Sequence, residues 1–156
     1  MNDLNYLDIS DRQIRSLDIG ALEPFWSMPV DKLLEQESKL ILNIQFNRDQ
    51  NDPRELSEIP ECRLWSIRAD ALCPWLPYLL ERSNGHLNRH VAMLVPHSFT
   101  QSEGIKFNPD ALSLWITHRL FLLDHWSAMH GFSIKKNLSL MVMMLGYEID
   151  ENFWPE

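Results

Sequence analysis

DPRELSEIPECRLWSIRADALCPWLPYLL, residues 52–80, is the stretch whose reading decides the fold. It holds four of the nine prolines, at 53, 60, 74 and 77, together with Trp65, Trp75 and both cysteines. Its centre, Cys62 to Ala69, sets Leu64, Trp65 and Ile67 among small residues and Arg63 and Arg68, and reads as a β-strand. Pro60 restricts Ile59 and marks the entry, and Pro74 marks the exit. Ten charged residues, six acids and four bases, fall between Arg48 and Asp70. Prolines fix the backbone around them, so a surface built here is pre-organised and loses little entropy on binding.

Outward from this run, Ser27, Pro29 and Asp31 predict a helix that ends near Ser38. Leu40, Leu42, Ile44 and Phe46 then alternate as a strand, and a turn-rich loop leads to a short helical turn over 53–57. Pro74 opens a further helix, broken at Ser83-Asn-Gly85, and 90–95 reads as a third strand ended by Pro96. Asn108, Pro109 and Asp110 supply a cap, a first-turn proline and a first-turn acid, so the longest helix runs from there to about His130. Ser133 begins a last helix that Gly146 stops.

The expected fold is α+β: one domain over 14–147, a small, mostly antiparallel sheet with helices packed on one side, and a C-terminal helical pair. Residues 1–13 form a weakly patterned N-terminal lead-in, expected to be flexible, and 148–156 an acidic, aromatic tail.

Composition narrows the function. The chain has 156 residues and a net charge of −8, with 45% hydrophobic residues, an ordinary globular balance. The acids concentrate at the two ends. Residues 81–136 are mildly basic and hold all six histidines, but no basic stripe of the kind nucleic acid requires. No apolar run approaches the roughly 18 residues of a membrane helix. The acidic start resembles neither a secretory signal nor a transit peptide, which predicts a soluble, cytoplasmic protein. Cys62 and Cys73 form no C-x-x-C pair. On a strand they would stand some 30 Å apart, too far for a disulfide, and are expected as reduced thiols.

Catalytic signatures are absent from the sequence. There is no G-x-S-x-G, no HExxH and no glycine-rich phosphate loop. His86 and His90 would share a face of a helix, but Gly85 and the strand read beyond it argue against one. His118 and His125 lie about 10.5 Å apart along a helix, too far to share a metal. Glu55, Glu58 and Glu61 form a carboxylate trio interrupted by Pro60, better suited to a solvated or binding surface than to acid–base chemistry.

The strings DPRELSEIPE, RLW and PWLPYLL, then MLVPHSF at 93–99, EGIKFNPDAL at 103–112 and MLGYE at 144–148, resemble the chlororespiratory reduction 6 family from about Ile14 to Tyr147. The resemblance implies an assembly factor of the photosynthetic NAD(P)H dehydrogenase-like complex. Its partner would be an immature subunit of the hydrophilic arm, the one carrying two four-iron–four-sulfur clusters. It also implies a cofactor-free, non-catalytic protein. Two wrongly spaced cysteines fit poorly with scaffolding a cluster. The partner-binding residues expected from side-chain chemistry within this run are Arg54, Glu55, Glu58, Arg63, Arg68 and Trp75. The chain is expected to be a monomer or weak dimer, with no nucleic acid as partner. The alternative is a small metal-assisted enzyme using His and Asp residues of 81–136.

Overall fold

The computed structural model describes residues 4–154. The ends of the lead-in (1–3) and of the tail (155–156) lie outside the described residues. The fold is α+β in a single domain, as the sequence leads one to expect.

Strand β1 (Asn5–Ser10) forms within the lead-in, and Ser10 then caps α1 (Asp11–Arg15) in a reciprocal pair with Gln13. Two short helices, α2 (Glu23–Trp26) and α3 (Val30–Leu34), carry the chain back to β2 (Leu40–Gln45). Because the connection is a crossover, β1 and β2 pair in parallel, with Ile9 opposite Ile44. Next come α4 (Pro60–Leu72), α5 (Leu76–Leu79) and α6 (His86–Leu94). The hairpin of β3 (His97–Thr100) and β4 (Gly104–Phe107) precedes α7 (Pro109–Met129) and α8 (Lys135–Met143).

Several elements differ from the reading of the sequence. The pivotal run is a helix, not a strand. Along α4 the buried residues are Cys62, Trp65, Ser66, Ala69 and Asp70, a 3.6-residue period. Pro60 stands at the first helical position, where its missing N–H loses nothing, and the extended Ile59 it imposes is the N-cap. The stretch read as a third strand is α6, with Gly85 at φ 80° as its N-cap. A left-handed residue there is natural for glycine. Finally, the strands form two separate pairs, one parallel and one antiparallel, rather than one mostly antiparallel sheet. The helix predicted to run to Ser38 is also shorter, ending at Leu34.

β2, α7 and α8 stand close to where the sequence puts them. Asn108 caps α7 as expected, its side chain accepting from the Ala111 N–H at 3.0 Å. At α8 the cap position is Ile134, without a side-chain bond, rather than Ser133.

One apolar core joins these elements. Fully buried Trp65 sits in it, its indole N–H donating to the Asp18 carbonyl at 2.7 Å. Ile9, Leu40, Leu79, Leu87, Leu123 and Leu138 bring β1, β2, α5, α6, α7 and α8 to the same cluster. A buried polar junction ties three helices together. Asp70 of α4 faces His90 of α6 at 3.1 Å and accepts from Arg119 of α7 at 2.5 Å. Arg119 also donates to the Pro74 carbonyl at 2.6 Å and lies over the Trp115 ring.

Both cysteines are buried and free. Eleven residues of helical rise hold them about 16 Å apart, half the separation expected for a strand and still beyond a disulfide's reach. Burial pushes each thiol up to about 11. Alkylation of native protein at pH 8 should therefore be slow, and both thiols should react only with the opening of the core; quick modification of either would contradict their burial.

Candidate functional site

The best candidate surface lies where the loop before α4, the first turns of α4 and the start of β3 meet. Two adjoining clefts open there. One, about 300 Å³, is lined by Pro53, Arg54, Glu58, Phe99 and neighbouring residues. The other, about 330 Å³, is lined by Ser57, Glu58, Arg63, Pro96 and His97. Glu58 belongs to both.

Local chemistry explains why this loop holds its shape. Asp52 receives the Arg54 guanidinium through two nitrogens, at 3.0 and 2.8 Å, and the Arg54 backbone N–H at 3.0 Å. The hydrogen bond from the Arg54 side chain, first among its causes, holds the Asp52 carboxyl down at about 2. A lowered carboxylate stabilises the loop above its unfolded range and releases it only as pH falls toward that value. A single 3₁₀ turn follows, Leu56–Glu58, with Glu55 and Glu58 capping each other's backbone. The Glu58 carboxylate accepts from the Glu55 N–H at 2.8 Å. Glu55 also pairs with Arg89 of α6, fastening the turn to the next helix. Ser57, fully buried, shares a hydrogen bond with His97 Nε2 at 3.0 Å, while His97 Nδ1 meets the Val95 carbonyl at 3.1 Å.

The six residues expected to bind a partner divide. Arg54, Glu58 and Arg63 line the clefts together. Glu55 is engaged within the protein through Arg89. Arg68 is exposed on the outer face of α4, with one nitrogen donating to the Leu17 carbonyl at 2.8 Å. Trp75 does not join them: at 7% exposure it belongs to the core. The patch sits at the N-terminal end of α4, with β3 of the small hairpin beside it, rather than at the end of a central strand through 62–69. Arg63 differs from its neighbours. It forms no ion pair among the described residues, and its buried Nε has no hydrogen-bond partner. A half-buried guanidinium aimed at a cleft is suited to an acidic group brought by a partner.

The sequence reading missed the outer face of α4. Leu64, Ile67 and Leu72 are 54%, 44% and 61% exposed, and Ala71 is exposed beside them. At helical spacing they make an apolar stripe that none of the described residues covers. The spacing i, i+3, i+8 was present in the sequence, but the opposite face is apolar too, so the contrast that identifies a helix was lost.

The histidines were the basis of the enzymatic alternative. His86 and His90 do share a helix, contrary to the reading from Gly85, but the Nε2 of His90 is engaged by Asp70. Among the described residues no three His, Cys, Asp or Glu side chains are grouped so as to hold a metal ion.

A model of the family described as chlororespiratory reduction 6 matches residues 9–156. The chain belongs to the chlororespiratory reduction 6 family. This is an assembly-factor family linked to the NAD(P)H dehydrogenase-like complex. No solved structure matches the chain. Among the described residues no helix is long and apolar enough to cross a membrane. The strings that carried the resemblance meet in space: Ser57 of DPRELSEIPE touches His97 of MLVPHSF, and Arg63 lines the same cleft.

Proposed function

We propose that this member of the chlororespiratory reduction 6 family is a non-catalytic, cofactor-free assembly factor. It holds an immature subunit of the hydrophilic arm, the one that carries two four-iron–four-sulfur clusters, until the photosynthetic NAD(P)H dehydrogenase-like complex takes it up. It works as a monomer or weak dimer in the cytoplasm, without nucleic acid as partner. The single observation that carries this reading is the union of two unsatisfied features on α4: the unpaired Arg63 in its cleft, and the uncovered stripe of Leu64, Ile67 and Leu72. An apolar centre beside a half-buried charge awaiting a partner is suited to a specific, releasable interface. Arg54, Glu58 and Arg68 form its polar border.

Charge reversal at Arg63 tests this directly. Arg63→Glu should leave the melting temperature within a few degrees of wild type, because the guanidinium has no ion-pair partner among the described residues. Accumulation of the dehydrogenase-like complex in photosynthetic cells should fall sharply, since truncating one side of a buried interfacial charge pair costs on the order of 2–5 kcal/mol. Normal accumulation of the complex would remove Arg63 from the interface.

A further inference from the structure

A second surface lies away from α4. The space between α7, α8 and residues 147–153 forms a groove of about 480 Å³. Ile116, Leu120 and Val142 make its floor, and Ile149 and Phe153 of the C-terminal segment make its outer wall. The segment is held in place by contacts of its own. The Tyr147 hydroxyl donates to the Pro109 carbonyl at 3.2 Å, Asp150 caps the Asn152 N–H at 2.8 Å, and Phe153 stacks on Phe121 with centroids 5.0 Å apart. Phe121 is itself 42% exposed, so the apolar surface continues past the groove.

The charged side chains that line this groove have one sign. Its lining contains Glu148 and Asp150 and no base, and Glu151 follows in the same exposed segment. Lys135 lies over the Trp154 ring at 5.7 Å, outside the lining. The volume suits one or two large side chains in the general range of ligand clefts, roughly 300–1,000 Å³. Two exposed carboxylates without a basic partner in the lining, beside an apolar floor, favour a cation next to the group that fills it.

We infer that the groove between α7, α8 and the C-terminal segment is a peptide-docking site. It takes a protein segment with a bulky apolar residue flanked by lysine or arginine. A segment rather than a small molecule is favoured because the apolar surface runs on over Phe121. An anionic membrane is disfavoured because the rim repels it. This surface is separate from the α4 face and does not depend on the role given to it.

The test uses the full chain and three synthetic amidated peptides, followed by methyl and amide chemical shifts. One carries Leu-Phe between paired lysines, the second has the lysines replaced by glutamates, and the third has Leu-Phe replaced by Ser-Ser. The first should shift Ile116, Val142 and Ile149 with an affinity that weakens in salt; the other two should bind at least about tenfold more weakly, since each lacks one of the two recognised groups. Glu148→Lys combined with Asp150→Asn, which keeps the capping oxygen, should weaken the first peptide by about tenfold or more with the melting temperature unchanged. Thr117→Trp, an exposed position of the lining, should block it by filling the groove. Equal binding of all three peptides, shifts clustered elsewhere, or preferential binding to vesicles rich in phosphatidylserine would overturn the proposal.

Discussion

Replacing Asp70 by alanine should lower stability by about 3–5 kcal/mol, because among the described residues it leaves the buried Arg119 guanidinium only the Pro74 carbonyl as an acceptor, beside the Trp115 ring. For a chain of this size that is a fall in melting temperature of roughly 6–20 °C. The effect is large because the three side chains are nearly inaccessible and each comes from a different helix, so removing the shared carboxylate loosens α4, α6 and α7 from one another. Asp70→Asn keeps the shape and one acceptor and should fall between the two. The same junction sets an acid limit. Burial alone would raise the Asp70 carboxyl, but the hydrogen bond and charge of His90, with those of Arg119, outweigh it and hold it below its usual value. A depressed carboxylate contributes stability above the unfolded range near 4, and that contribution is lost as pH falls through the folded value. Thermal melts across pH 2–7 should show wild type losing stability at the acid end while Asp70→Ala changes less. A variant that melts within about 2 °C of wild type would mean the junction is dispensable.

The second large effect is expected without loss of stability. Leu64→Glu with Ile67→Glu removes two apolar side chains from the stripe on α4 but keeps good helix formers at exposed positions. The fold should melt close to wild type. If the stripe is the centre of the interface, each position is of the hot-spot kind, worth about 2 kcal/mol, or on the order of 30-fold in affinity. Cells carrying the double variant should accumulate the free assembly factor at normal levels and little of the dehydrogenase-like complex. A fall in melting temperature of many degrees would instead show that the stripe supports the fold.

What could be read from the sequence followed from how local its causes are. α7 was legible because Asn108, Pro109 and Asp110 announce its start within three residues, even though Leu114, Phe121 and Met129 put apolar side chains on its exposed face. β2 alternates, and was read correctly. α4 was misread because Leu64, Ile67 and Leu72 lie exposed on its outer face, so apolar side chains on both faces disguised the helical period. The class α+β survived this error, but the pairing of the strands did not. β1 and β2 pair across a gap of 35 residues through a crossover that no local signal announces. The density of charge around 54–63 pointed to the loop where the two candidate clefts open, and Pro60 to the start of α4. Which charges remain free was decided at long range: Glu55 is taken by Arg89, 34 residues away, and Ser57 by His97, 40 away. Trp75 was misplaced because prolines at 74 and 77 suggest an element end, where an aromatic can face a partner; instead Pro77 lies within the short buried helix α5 and Trp75 is its buried N-cap.

The central claim is that α4 presents the docking face, and a photo-crosslinking residue at Ile67 tests it most directly. On irradiation in cells blocked before the complex is complete, position 67 should form an adduct with the cluster-carrying subunit of the hydrophilic arm. The same residue at Tyr6, which is 63% exposed on β1, should not. An adduct at Tyr6 but none at Ile67, or an adduct at Ile67 with a different protein, would contradict the account.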